Sequence, residues 1–419
     1  MNKQMRIAHF TNTYHPVISG VVRSVSTFRQ ALTDLGHNVF ILAQHSDYED
    51  TEPFIFRYPA LDLPLMSGFP LTIPISPFID KLLPALKPDV IHSHHPFLLG
   101  QAAASKAEEL ELPLIFTYHT RYQDYSHYVS LSQKFVKEAI SRWLGEYMQK
   151  CHHIVAPSES IRRMLVDEYG ITGQITAVPT GIDLKPYQQV EGQAVRQKRG
   201  WGEDKVLISV GRLAKEKNWE TLLAAAAQVI KKRHDVRLAL IGDGDNRETL
   251  ETYVEELRIA GQVEFIGNVP FEDIPSYLSA ADLFCFASTT ETQGLATMEA
   301  LAARLPVVAV DATGTRDVID DGQQGFLTMN DSESLARAIE RVIRDENLRQ
   351  RFRIKAWEKA QTFEMKRQAE RLVQVYEQAI EDQKAGHFVS VDRHKKVFKL
   401  IDEEQWLKFL GLEKRGAKS

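Results

Sequence analysis

The sequence predicts an α/β protein made of two doubly wound parallel-sheet domains. The chain has 419 residues, and at roughly 100 to 200 residues per domain that length fits two or three domains. Hydrophobic residues make up 43% and charged residues 26%, the composition of a globular chain in which each domain buries its own core. Short apolar runs rich in β-branched residues alternate with longer helical patterns, the signature of βαβ units. That alternation occurs twice.

In the first half the predicted strands are Arg6–Phe10, Val39–Leu42, Val90–His92, Leu114–Thr117 and His153–Ala156, with helices over Val22–Leu35 and Gly100–Glu109. In the second half they are Val206–Val210, Arg237–Ile241, Val263–Ile266, Leu283–Phe286 and Pro306–Val310, with helices over Trp219–Arg233 and Arg247–Ala260. Between the halves, Val178-Pro179-Thr180-Gly181-Ile182-Asp183 carries a proline and a glycine, and a polar stretch without a clear strand runs on to Gly202. Such punctuation marks a junction. Residues 1–185 are therefore assigned to a first domain and 186–380 to a second. Beyond Asp331 the pattern is helical, and residues 381–419 form a basic extension with Lys408, Lys414, Arg415 and Lys418 against Glu413. Ligands of doubly wound sheets bind outside the C-terminal strand ends, so two such domains facing one another predict a shared cleft.

Several function classes are disfavoured. Lys plus Arg number 51 against 56 Asp plus Glu, a net charge of −5, so no strong field draws the chain to nucleic acid. The two cysteines, Cys151 and Cys285, give neither a disulfide framework nor zinc spacing, which suits a reducing, cytoplasmic setting. Cys285, between Phe284 and Phe286, reads as a buried core thiol. The apolar run Ile7–Phe10 is too short for a signal peptide. The uncharged stretch Leu63–Ile79 contains Pro64, Pro70, Pro74 and Pro77, which a membrane-spanning helix would not tolerate together.

Chemistry is sought after strand ends. Ser19-Gly20-Val21 precedes a helix, where a glycine lets backbone amides approach an anion; the same segment reads as a plain tight turn. Gly211-Arg212-Leu213-Ala214-Lys215-Glu216-Lys217 follows a strand with a planar fork and point charges suited to a diphosphate, and reads equally as a solvated helix start. Glu291 and Glu299 stand eight residues apart around Gly294. If a helix opens near Gly294, Glu299 lies on it, Glu291 stays in the preceding loop, and the first amides face an anion; two exposed glutamates would look the same. His119 ends a strand and is followed by Tyr122, Asp124, Tyr125, His127 and Tyr128, as in a binding loop. His92, His94 and His95 also cluster at a strand end, but no carboxylate or cysteine accompanies them at helical ligand spacing. No metal site is assigned. Gly242-Asp243-Gly244-Asp245 lacks the full dinucleotide fingerprint, since Arg247 holds the third glycine position, and reads as a strand-to-helix turn.

Together these segments resemble the retaining glycosyltransferases of the GT-B fold, the group that includes sucrose synthases and bacterial glycogen synthases. The likeness runs from Met5 to about Glu377. Its marks are Ser19-Gly20-Val21, Val178–Asp183, Gly211-Arg212 with Lys217, Ile241-Gly242-Asp243-Gly244, and the Glu-x7-Glu pair Glu291 and Glu299. The resemblance implies an N-terminal acceptor-binding and a C-terminal donor-binding Rossmann-like domain, with the last helix returning to the first. It implies that Arg212 and Lys217 hold the donor diphosphate, that Glu291 with the amides of Gly294 and Leu295 holds the hexose, that Glu299 binds the ribose, and that Gly20 faces the diphosphate. His119 would position the sugar or the transition state. Thr313-Gly314-Thr315-Arg316-Asp317 departs from the Gly-Gly and following Glu often found in relatives, so that loop inherits no role.

Within the group, Tyr118–Tyr125 and Thr290–Leu295 look most like bacterial diacylglycerol glucosyltransferases, which make monoglucosyldiacylglycerol from UDP-glucose at the cytoplasmic membrane face. This implies a peripheral enzyme on an anionic membrane surface, with Tyr122, Asp124 and Tyr125 toward the acceptor and no essential cofactor. Leu65, Met66, Phe69, Leu71, Ile73, Ile75 and Phe78, with Lys81 and Lys87 behind them, are the expected lipid-facing residues; Lys134, Lys137, Arg142, Lys150, Arg162 and Arg163 would add positive charge. The rival readings are a transferase on a sugar phosphate or polyol, a nucleotide-sugar 2-epimerase, and a silent binding module.

Overall fold

The computed structural model describes residues 4–17, 19–61, 71–121, 133–171 and 173–391. The described residues fall into two compact units, one drawn from residues 4–156, 162–178 and 370–391, the other from 157–161 and 179–369. In this stretch the boundary between the two units falls between Val178 and Pro179. The cause is local: the Ile182 N–H donates to the Phe363 carbonyl at 2.8 Å and the Met365 N–H to the Ile182 carbonyl at 3.1 Å. Residues from Glu370 onward in the helix Met365–Lys384 belong to the first unit. Leu372, Val373, Tyr376 and Ala379 are buried there, and Arg371 Nη2 donates to the Ala177 carbonyl at 2.5 Å. Residues 392–419, which hold most of the expected basic extension, lie outside the described residues.

The first unit is built on β1 (Arg6–Thr11), β2 (Asn38–Ala43), β3 (Ile55–Arg57), β6 (Val90–Ser93), β7 (Leu114–Thr117), β8 (His153–Ala156) and β9 (Ile175–Ala177). They form one parallel sheet in the order β3-β2-β1-β6-β7-β8-β9. A separate antiparallel ribbon joins β4 (Ala60–Leu61) to β5 (Leu71–Thr72). The helix Gly20–Asp34 begins where the Ser19 hydroxyl accepts from the Val22 N–H at 3.2 Å. It buries Val22, Val25, Phe28 and Leu32, one face at helical spacing, each contributing roughly 1.5 to 3 kcal/mol.

The second unit is a six-stranded parallel sheet of β10 (Lys205–Val210), β11 (Val236–Ile241), β12 (Val263–Gly267), β13 (Leu283–Phe286), β14 (Val307–Val310) and β15 (Gly325–Thr328), in the order β12-β11-β10-β13-β14-β15. Successive strand residues point to opposite faces. Leu207, Leu238, Leu240 and Cys285 therefore join one apolar layer with Leu222, Leu223 and Ile339. Val206, Ile208, Ala239 and Phe284 join another with Leu278, Met298 and Leu301. Both faces are covered, which is why these strands read as unbroken apolar runs. Burial pushes the Cys285 thiol up, as expected of an inert core cysteine.

The predicted strands form within a residue or two of the expected limits. The sheets gain β3, β9 and β15, edge strands of three or four residues. The two predicted helices of the second half stop early, at Ile230 and Glu256. Arg258 takes a φ of 58° just after the second one, a left-handed conformation that ends a helix.

Candidate active site

In each sheet the strand order reverses beside the first strand, and the loops on either side of that point diverge to leave a crevice at the C-terminal ends. In the second unit the reversal separates β10 from β13. The loop after β10 carries Gly211, Arg212 and Lys217; the loop after β13 carries Ser288, Glu291 and Gly294. Segments about eighty residues apart in sequence thus meet at the place where ligand binding is expected.

The β10 loop is held rigid from below. Gly211 N–H donates to the Ile241 carbonyl at 2.9 Å, Leu213 N–H to the Asp243 carbonyl at 3.0 Å, and Trp219 Nε1 to the Arg212 carbonyl at 2.9 Å. Gly242 has a φ of +128°, and a Cβ there would stand 2.0 Å from the Gly211 carbonyl oxygen. Only glycine permits this approach, so Gly242-Asp243-Gly244 is a strand-to-helix turn that supports Arg212. Lys215–Lys217 forms a single 3₁₀ turn, and Asn218 turns the chain into the helix Trp219–Ile230. Asn218 Nδ2 anchors that turn to the Ala287 carbonyl at 3.0 Å. Lys215 stays exposed, whereas Lys217 reaches inward.

Lys217 Nζ lies 2.5 Å from Glu291 Oε1, and the Ser288 hydroxyl donates to the same oxygen at 2.9 Å. Burial pushes the Glu291 carboxyl up, but the charge of Lys217 and the hydrogen bonds from Lys217 and Ser288 outweigh it and hold the group below its ordinary value. Arg212 is exposed and paired with Glu216, four residues along. The two expected donor cations therefore differ: Lys217 is fixed against the expected sugar ligand, and Arg212 stands on the rim.

The helix after Glu291 runs Leu295–Ala302 with Gly294 as its cap, leaving Glu291 in the loop and Glu299 on the helix. Glu299 is buried, with Tyr187 Oη 3.5 Å from its Oε1. Gln293 locks the preceding loop to the junction segment: its Oε1 accepts from Thr180 N–H at 2.9 Å and its Nε2 donates to the Thr180 carbonyl at 3.0 Å. The divergent loop Thr313–Asp317 is structural as well as local. Gly314 has a φ of +79°, and a Cβ there would lie 2.7 Å from the Glu291 carbonyl oxygen, so Gly314 sets how closely that loop supports Glu291. Asp317 Oδ1 accepts from the Ser160 N–H at 2.9 Å. Thr297 and Thr315 hydroxyls are buried without a partner among the described residues, a state that costs about 1 to 3 kcal/mol unless a ligand supplies one.

In the first unit the strand order reverses between β1 and β6. Gly20 opens the helix after β1 and is exposed. His119 follows β7, and its Nε2 lies 2.9 Å from His94 Nδ1. Of the three histidines considered as ligands, His95 turns aside, its Nδ1 accepting from the Asn12 N–H at 3.1 Å. His9 takes its place: ring nitrogens of His9, His92 and His94 lie within 4.8 Å of one another. Sequence reading missed His9, a lone polar residue in an apolar strand. Ser288, Asn218 and Gln293 were missed too; their position just after a strand, or beside Glu291, was the available signal. Tyr122, Asp124, Tyr125 and Phe69 lie outside the described residues, as do the side chains of Lys134 and Lys137.

The fold and this arrangement define a class. Residues 18–186 match the family Glycosyltransferase Family 4 and residues 192–359 match Glycosyl transferases group 1. The chain belongs to these GT-B glycosyltransferases and is a transferase. Among its relatives is the alpha-monoglucosyldiacylglycerol synthase of Acholeplasma laidlawii, 34% identical over 348 residues, or 80% of this chain and 87% of that protein. The alpha-monoglucosyldiacylglycerol synthase of Streptococcus pneumoniae is 32% identical over 352 residues, 81% of this chain and 78% of that protein. The crystal structure of Anabaena HepE in complex with UDP and glucose superposes with a TM-score of 0.72 at 20% identity, covering 89% of this chain and 100% of that one; at that identity the likeness is one of fold.

Proposed function

We propose that this chain transfers glucose from UDP-glucose to diacylglycerol with retained configuration, as a peripheral protein on the cytoplasmic face of an anionic membrane. The observation that carries the reading is the meeting of Lys217 and Glu291 at the switch point of the second unit; the choice of glucose and lipid follows the two synthases. The bond from the sugar carbon to the leaving diphosphate breaks while the acceptor oxygen bonds to the same face. A leaving phosphate oxygen takes the acceptor proton, so no protein nucleophile is needed. Lys217, Arg212 and the first amides of the helix Leu295–Ala302 stabilise the charge that develops on the diphosphate, with Gly20 facing it. Two such cations and a helix start do the work for which a metal would otherwise serve, so no resident cofactor is required. Arg212 must first leave Glu216. Glu291 and the amides at Gly294 and Leu295 hold the hexose, Glu299 the ribose, and His119 positions the sugar. Tyr122, Asp124 and Tyr125, outside the described residues, are assigned to the acceptor by the likeness to the diacylglycerol glucosyltransferases.

Among the described residues, no helix is long and apolar enough to cross a membrane. Ile75 and Phe78 are 67% and 63% exposed, while Ile79 in the same helix start is fully buried. Lys81 and Lys87 are exposed on the same short helix or at its end. Exposed apolar side chains backed by cations suit a headgroup boundary. The reading is tested by supplying radiolabelled UDP-glucose, UDP-galactose and GDP-mannose to the purified protein with diacylglycerol vesicles, a sugar phosphate, a polyol or no acceptor, each with and without chelator. Glucose incorporation into lipid that survives chelation is expected. Efficient transfer to a soluble acceptor alone refutes the lipid assignment, and conversion of donor without acceptor points to an epimerase.

A further inference from the structure

Four histidines and two hydroxyls of the first unit line up in one file, buried except at the half-buried His119. Thr117 Oγ1 lies 2.7 Å from His92 Nε2, and His92 Nδ1 lies 2.8 Å from Tyr376 Oη. Tyr376 Oη lies 3.3 Å from His9 Nε2, His9 Nδ1 2.8 Å from His94 Nε2, and His94 Nδ1 2.9 Å from His119 Nε2. The file crosses β1, β6 and β7 at the switch point and recruits Tyr376 from the C-terminal helix. His9 and His92 are register partners across β1 and β6, so their rings leave the sheet on one face. His9, His92, His94, Thr117 and Tyr376 are buried.

Neutral imidazole has one donor nitrogen and one acceptor nitrogen. Burial holds the rings of His9, His92, His94 and His119 well below the usual histidine range, and neighbouring rings add to the effect at His92, His94 and His119. Each link in the file therefore needs one proton supplied from one side. A ring that receives on one nitrogen must donate from the other, and when the buried Tyr376 hydroxyl spends its one proton on His9 or His92 all protons order head to tail, in one of two arrangements. In one, Thr117 donates to His92 and every ring carries its proton on Nδ1. In the other, His119 donates to His94 and every ring carries it on Nε2.

We propose that this file is a single hydrogen-bonded unit that sets the tautomer of His119, with His94, His9, Tyr376 and His92 acting as positioning residues for it. The C-terminal helix then does more than close the core: through Tyr376 it decides which nitrogen of His119 is a donor and which an acceptor. The consequence for transfer rests on the proposed role of His119 at the sugar; the proton order itself does not.

The test is ¹⁵N-histidine NMR on the full-length protein at neutral pH, which distinguishes protonated from bare ring nitrogens residue by residue. All four histidines are expected in the same neutral tautomer. A mixture of Nδ1–H and Nε2–H forms among His9, His92, His94 and His119 overturns the proposal, and so does a metal ion found on these rings, since it would take the nitrogens that the links use. Tyr376→Phe removes the joining hydroxyl at nearly constant volume and is expected to change the His119 pattern; an unchanged pattern in the folded variant overturns the proposal. Thr117→Val cuts the far end and serves if Tyr376→Phe does not fold. In transfer assays Tyr376→Phe is expected to lower kcat about two- to tenfold with the donor KM unchanged, as loss of one neutral hydrogen bond in positioning implies. A changed His119 tautomer with unchanged kcat supports the file and counts instead against His119 at the sugar.

Discussion

Acidification should unfold the first unit well before carboxylates titrate. His9, His92, His94, His95 and His119 all lie in that unit, and burial is the largest cause of a lowered value in each, to about 3 for His9, His95 and His119. Arg29 adds to the effect at His9. Because the folded values lie below the ordinary 6.5, the unfolded chain binds more protons on the way down. Stability is full above pH 6.5 and is lost as pH falls from there toward 3. At pH 5.5 a histidine that stays neutral only when folded costs about 1.4 kcal/mol, and five together about 7 kcal/mol. That is of the order of a whole domain's stability, roughly 5 to 15 kcal/mol. Urea titrations at pH 7.5, 6.5 and 5.5, followed by tryptophan fluorescence and far-UV circular dichroism, should show the midpoint of one transition falling steeply. An unchanged midpoint between pH 7.5 and 5.5 would refute the reasoning, because it would mean that these rings are charged or solvated in the folded chain.

Three further outcomes follow from the site. Lys217→Ala and Arg212→Ala each remove a charge-assisted contact of roughly 1.5 to 3 kcal/mol, or one to two decades in kcat/KM; steady-state kinetics should show both, and near-native turnover in a folded variant counts against the site. Glu299→Ala should weaken UDP binding in calorimetry, while Glu291→Ala lowers kcat because the sugar is no longer oriented; the reverse pattern contradicts their assignment. Ile75→Ser with Phe78→Ser should reduce co-sedimentation with anionic vesicles several-fold without lowering Tm, since both side chains are exposed; unaltered sedimentation rejects that surface.

The sheets were legible because both faces of each are buried, so Leu207–Val210 or Leu283–Phe286 reads as an unbroken apolar run. The edge strands β3, β9 and β15 were not, since three or four residues carry too little pattern to separate from loop. Gly294 gave away the helix start that divides Glu291 from Glu299, because glycine is a poor interior residue and Leu295–Ala302 is strongly helical in composition. The meeting of Lys217 with Glu291, 74 residues apart, is invisible without strand order. His9 was hidden for the same reason: in Arg6–Phe10 it looks like an isolated polar interruption, and only the pairing of β1 with β6 sets it beside His92.

The most direct measurement is the product formed from UDP-glucose and diacylglycerol vesicles, with the anomeric configuration read by NMR and Lys217→Ala run alongside. The account predicts α-glucosyldiacylglycerol with stoichiometric UDP release, and a loss of one to two decades in rate for the variant. A β-linked product, or no glucolipid while a soluble acceptor is glycosylated efficiently, would contradict it.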